Sequence, residues 1–266
     1  MAQASGHKRI WITGASSGIG AALSQHYAGS GKVLGLTARD QNGLETVAAA
    51  CRAKGATVYS YQADVTDAHA LRACSLDFLS KVGQVDLVIA NAGIRVEEDD
   101  DYQNLQIQEE TMKTNFLGVV HTLSPFILAA KKNRRGHLAV VSSISAFRGT
   151  PNSGVYSASK AALNLWTESL RLRLKPYGVN VTTLCVGFVD TPMTATLPFW
   201  MPGLLSPEQA AKNIAAAISR GKRLVTIPWQ SKIIWNLLRV LPGSIYDQLI
   251  LFLARKRVGP AQTDRY

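Results

Sequence analysis

The chain has only three cysteines in 266 residues, Cys51, Cys74 and Cys185. They lie far apart, with no CxxC pair and no metal-type spacing to a histidine. An odd count at such distances builds no disulfide framework, so a reducing, cytoplasmic compartment is expected and no metal centre. No run reaches the ~18 apolar residues that a bilayer-spanning helix needs. Met1 to Lys8 is short and polar, unlike a secretion signal. Also missing are Ser/Gly/Pro-rich linkers, low-complexity tracts and internal repeats, which argues against a string of small domains. Acidic residues are scarce, 18 against 29 Lys and Arg, for a net charge of +11.

What is present alternates. Short apolar runs (Ile10-Trp11-Ile12, Val33 to Leu36, Val58-Tyr59, Leu87-Val88-Ile89, Leu138 to Val141, Val179 to Val181, Leu224-Val225) are separated by helical periods. Those helices are expected near 18–30, 41–54, 67–82, 103–132, 154–175 and 206–220. Continuously apolar strands fit a parallel sheet covered on both faces. Ser206-Pro207-Glu208 is a helix start, with Ser as N-cap and Pro in the first turn. The architecture that results is α/β, a doubly wound, mostly parallel, seven-stranded sheet of Rossmann-like type. Residues 1–225 are expected to form a dinucleotide-binding catalytic domain and 226–266 a basic, apolar extension.

Gly14, Ser16, Ser17, Gly18, Ile19 and Gly20 fall directly after the first strand and open the first helix. Glycines there let peptide N–H groups approach a pyrophosphate, and the helix N-terminus favours an anion. At the end of the second strand stands Arg39, whose forked donors suit a 2′-phosphate. NADP is therefore the expected cofactor; NAD, its ribose held by Asp40, is the alternative.

Tyr156 and Lys160 stand one helical turn apart on one face. A phenol is a weak acid near neutral pH, and a close cation lowers its pKa toward a useful range. The spacing alone is common in helices. Its support comes from upstream: Ser143 ends a buried strand, where an open α/β sheet gathers its ligands. Asn91-Ala92-Gly93 ends the fourth strand, and Asn115 sits inside an otherwise ordinary helix, where Asn has weak propensity.

Taken in order, TGASSGIG (13–20), Asp64-Val65, ANAG (90–93), Asn115, Ser143, YSASK (156–160) and VGFVDTPM (186–193) resemble the short-chain dehydrogenase/reductase family of the Tyr-x3-Lys catalytic type. The resemblance spans about 10–193. It implies that Tyr156 moves the proton, that Lys160 tunes Tyr156 and holds the nicotinamide ribose, that Ser143 bonds the substrate oxygen, and that Asn115 holds a relay water. It places Asp64 and Val65 at the adenine, Asn91, Ala92 and Gly93 along the cofactor cleft, and Val189 and Thr191 at the carboxamide. A homodimer or homotetramer is implied too. Two positions depart from the family: Val186 where Pro is usual, and Ala90 where Asn is common.

The expected reaction is NADPH-driven reduction of a lipophilic ketone or aldehyde. Alcohol oxidation by the same site is the alternative, and a non-catalytic NADP-binding regulator is the reading from another class. Lipophilicity is read from the apolar lid position Leu197 to Pro202. From Arg220 onward nine cations face two acids, Asp247 and Asp264, a net +7. Trp229, Trp235, Tyr246 and Phe252 lie among them. This tail is either a helix pair broken at Pro242-Gly243 and packed on the body or a partner, or an amphipathic element on an anionic membrane. Nucleic acid is not expected, since charge is its only argument.

Overall fold

The seven apolar runs lengthen into seven parallel strands because the helices between them return the chain to the same end of the sheet before each new strand. They are β1 (Arg9–Thr13), β2 (Val33–Ala38), β3 (Thr57–Gln62), β4 (Leu87–Ala90), β5 (His137–Ser143), β6 (Asn180–Val186) and β7 (Leu224–Ile227), in the spatial order β3-β2-β1-β4-β5-β6-β7. This computed structural model describes residues 6–98, 103–151, 153–195 and 201–257. Most of the expected lid, 197–200, and the last tail residues, 258–266, lie outside the described residues.

The helices are α1 (Gly18–Tyr27), α2 (Gln41–Ala53), α3 (Ala68–Val82), α4 (Leu105–Met112), α5 (Gly118–Asn133), α6 (Gly154–Leu174), α7 (Pro207–Ser219), α8 (Trp229–Val240) and α9 (Gly243–Arg257). Their starts are chemically marked. Asp67 Oδ1 accepts from the backbone N–H groups of His69 and Ala70 at the head of α3. Ser206 is the N-cap of α7 with Pro207 in its first turn, as expected, and Gln209 completes a reciprocal capping box. Gly178, with φ of 69°, closes the turn after α6.

Period-two alternation sends the side chains of β1 to opposite faces. Ile10 and Ile12 join the core beneath α1, α2 and α7, while Trp11 enters the core beneath α3, α5 and α6. Trp11 is fully buried among Tyr61, Phe78 and Phe126, with ring centroids 5.3 to 5.5 Å away. Gly35, its register partner on β2, makes the space: a Cβ there would lie 2.5 Å from the indole.

One expectation changes. The helix expected over 103–132 is α4 and α5 joined by a π-helical turn, Lys113–Leu117. Val225 and Thr226, on either side of the division expected at 225/226, both belong to β7. Beyond it lie two helices separated at Leu241-Pro242, and α8 packs on β7 and on the 3-10 turn Ile144–Phe147.

Candidate active site

The strand order reverses between β1 and β4, and the chain leaving their carboxyl ends lines the crevice where such sheets bind ligands. The glycine turn after β1 is pinned there by its neighbours. The Asn91 side-chain amide donates to Thr13 O at 3.1 Å and Gly14 O at 3.3 Å, and the Thr13 hydroxyl accepts from the backbone N–H groups of Asn91 and Ala92. A Cβ on Gly14 would meet Ala92 Cα at 2.8 Å, and one on Gly20 would overlap Gly14 O at 1.9 Å. Ser17 is the exposed N-cap of α1 and its side chain caps nothing, leaving the first-turn N–H groups for a ligand. Ser16 and Ile19 are half-buried beside it. Thr191 closes the turn from above, its methyl 3.0 Å from where a Gly18 Cβ would sit, and Val189 is buried beneath in a bridge with Leu205.

At the next junction Arg39 is largely exposed, paired only loosely with Asp64 at 3.6 Å. Asp40 is engaged as the N-cap of α2, accepting from Asn42 N at 3.1 Å. Asp64 also binds the Thr66 N–H and hydroxyl, and Val65 is buried against Gly118. A dinucleotide fits this set: a cradle that any Cβ would fill, first-turn N–H groups without a side-chain cap, and a guanidinium at the ribose end. Asp40, already capping a helix, is the weaker ribose acceptor.

The second cluster stands over β4 and β5. Asn115 is fully buried in the π turn, where a wider turn re-aims its side chain. Its Oδ1 accepts from Ile94 N at 2.8 Å, and its Nδ2 donates to Ile94 O at 2.9 Å and to Ser159 Oγ at 3.2 Å. Gly93 makes this close approach possible, since its Cβ would lie 3.1 Å from Asn115 Oδ1 and 3.4 Å from Lys160 Nζ. Ser143 ends β5 and its hydroxyl accepts from Ser145 N at 3.1 Å.

Lys160 is buried, with Nζ donating to Val141 O at 3.2 Å and lying 5.7 Å from the centre of the Tyr156 ring. Burial pushes its ammonium down to about 8. The same cause raises the Tyr156 phenol above its ordinary value, against the opposing effects of the Ser143 hydrogen bond and the Arg95 charge.

Arg95 and Glu98 were not legible as site residues. Arg95 Nη2 donates to Ser153 Oγ at 2.9 Å, and the buried Glu98 carboxylate accepts from the Gly154 and Val155 N–H groups. Together they fasten the segment after β4 to the first turn of α6, one residue before Tyr156. Their partners are more than fifty positions away, and no local pattern announces them. The two departures are absorbed by the sheet: Val186 continues β6 opposite Ser143 and Ile227, and Ala90 pairs with Val140.

Around this sheet and turn, with Tyr156 half-buried and Lys160 buried, the chain belongs to an enzyme class, the oxidoreductases acting on CH–OH groups. A family model described as short chain dehydrogenase matches residues 8–201, and the chain belongs to that family. It is 36% identical over 243 residues to an uncharacterized oxidoreductase of Myxococcus xanthus, covering 91% of this chain and 95% of the relative. It is 33% identical over 240 residues to an 11-beta-hydroxysteroid dehydrogenase A of Sesamum indicum, covering 83% and 68%. Among solved structures, an alcohol dehydrogenase of the archaeon Thermococcus sibiricus, complexed with 5-hydroxy-NADP, superposes with a TM-score of 0.75. That pair shares 27% identity over 84% of this chain and 97% of the other.

Proposed function

We propose that this enzyme uses NADP(H) to interconvert a lipophilic ketone or aldehyde with its alcohol, working mainly as a reductase. The observation that carries the reading is the convergence of Ser143, Tyr156 and Lys160 over the carboxyl end of β5, beside a turn built for a pyrophosphate. A bound nicotinamide supplies hydride transfer to the carbonyl carbon. In the reductive direction the Tyr156 phenol donates its proton to the substrate oxygen, and in the oxidative direction the phenolate accepts it. The Ser143 hydroxyl donates a hydrogen bond to that oxygen and steadies the charge that develops there.

Lys160 is proposed to hold the nicotinamide ribose, which draws its ammonium toward the cleft. Asn115 fixes the Ile94 backbone and with it the cleft wall formed by Asn91, Ala92 and Gly93. The 2′-phosphate falls to Arg39 and the adenine to Asp64 and Val65, with Val189 and Thr191 at the carboxamide. Support for NADP over NAD comes from the exposed guanidinium of Arg39 and from Asp40 being spent on α2. A relative named for a hydroxysteroid supports a lipophilic substrate. A homo-oligomer and a reducing, cytoplasmic setting are proposed with it; all three cysteines are free, and Cys51 and Cys185 are buried.

A panel of carbonyls graded in chain length and ring size, followed by NADPH and NADH absorbance, tests this. Turnover that rises with apolar size and prefers NADPH is expected. No consumption across the panel overturns the activity, and an NADH preference overturns the cofactor assignment.

A further inference from the structure

The helix pair that ends the described chain carries an apolar face directed at solvent. On α8, Trp229, Ile233, Leu237 and Val240 are 67%, 54%, 61% and 76% exposed. At 100° per residue these four fall within an arc of about 80°. A helix that merely packs on the body turns its large apolar residues inward, and here Ser231 lies on the buried side. On α9, Ile245 and Phe252, seven residues apart and so on one face, are also exposed. Lys232, Arg239, Arg255, Lys256 and Arg257 belong to this pair against one acid, Asp247, a net +4 within two helices.

The pair is bolted to the catalytic loop. Arg148, midway between Ser143 and Tyr156, donates from Nε to Leu238 O at 3.1 Å and from Nη2 to Leu241 O at 2.8 Å, satisfying carbonyls at the end of α8. Its guanidinium lies 4.2 Å from the centre of the Tyr246 ring, and the Tyr246 hydroxyl donates to Gly149 O at 2.6 Å. Moreover, α8 leaves the carboxyl end of β7, the side of the sheet on which the crevice opens.

We propose that α8 and α9 form a docking face for an anionic lipid surface, on the same side of the molecule as the substrate mouth. A row of exposed Trp, Ile, Leu and Val on a net cationic helix pair has the composition of an interfacial element. Trp229 at the head of α8 suits the boundary between headgroup and acyl chain. A second copy of this chain would carry the same positive charge and meet like with like, whereas anionic headgroups complement it. No described helix is long and apolar enough to cross a membrane, so the attachment is peripheral. Docking of this kind would present the mouth to carbonyls dissolved in lipid.

The test is co-sedimentation of the full chain with phosphatidylglycerol–phosphatidylcholine vesicles and with pure phosphatidylcholine vesicles. Light scattering reports the mass in solution, and NADPH turnover of a water-soluble ketone reports the site. The wild type pellets with the anionic vesicles alone, and salt weakens this. Ile233→Ser with Leu237→Ser lowers the bound fraction at least tenfold, while mass and soluble-ketone turnover stay unchanged. Absence of wild-type binding, or equal binding by the double variant, overturns the proposal. A fall in mass without vesicle binding also overturns it and assigns the face to self-association. Vesicle binding by a chain that turns over no carbonyl leaves the lipid face standing and removes the proposed activity instead.

Discussion

The two ends of the sheet are made from the same strands and do opposite work. At the amino ends, polar side chains are paired with each other. Asp86, buried, accepts from the Lys8 and Arg9 N–H groups and from the Arg9 guanidinium at 3.0 Å. Burial raises its carboxyl, but the bonds from Arg9 and Lys8 outweigh that and hold it low. His137, at the first residue of β5, bonds Thr182 Oγ1 at 2.8 Å and is pushed down to about 4 by burial. At the carboxyl ends, Ser143 on the same strand, Tyr156 and Lys160 keep bonding capacity in reserve, and the glycine turn leaves the head of α1 without a side-chain cap. Satisfied polar groups stabilise a fold; polar groups held ready for a ligand do not.

That contrast breaks down unless mutations at the two ends separate activity from stability. The largest effect is expected for Lys160→Met, with kcat/KM falling on the order of 10²–10⁴-fold. Stability of the cofactor-free chain at pH 7 should not fall with it. The folded pKa of Lys160 lies below its unfolded value of 10.5, so the unfolded chain binds more protons between about 8 and 10.5. Stability of the wild type therefore rises with pH through that window, by on the order of 3 kcal/mol, and denaturant midpoints of the variant should lack the rise.

At the opposite end, Asp86→Ala strands two N–H groups and a half-buried guanidinium. A loss of about 3 kcal/mol is expected in urea unfolding, with kcat per folded molecule retained. His137 sharpens the same point. Its folded pKa is depressed, so its contribution is complete above pH 6.5 and is lost as pH falls toward about 4. His137→Gln should flatten thermal melting across that window without moving the activity optimum. The smallest effect is at the cleft edge. Arg39→Ala should raise KM for NADPH about tenfold, the worth of one charge-assisted contact, and leave KM for NADH unchanged. Equal changes for both cofactors would remove Arg39 from the 2′-phosphate.

Legibility in the sequence followed the range of the interactions. All seven strands were visible because parallel strands are apolar over consecutive residues, and the glycine turn because its spacing follows a strand. Tyr156 and Lys160 were visible as a spacing within one helix. The π turn around Asn115 was hidden, since π and α turns draw on the same residues and differ only in which carbonyl each N–H reaches. Arg95, Glu98 and Arg148 were hidden for another reason: each acts on a partner more than fifty positions away. Sequence spacing gives the nearness of Lys160 to Tyr156 but not the burial of either, and burial is the largest influence on both groups.

The central claim is that Tyr156 moves the proton in a carbonyl–alcohol interconversion. Its most direct test is initial-rate NADPH consumption with a lipophilic cyclic ketone, wild type against Tyr156→Phe, with melting temperatures measured in parallel. The account predicts turnover that falls on the order of 10²–10⁴-fold in the variant while melting is unchanged. Equal turnover by both proteins would contradict it.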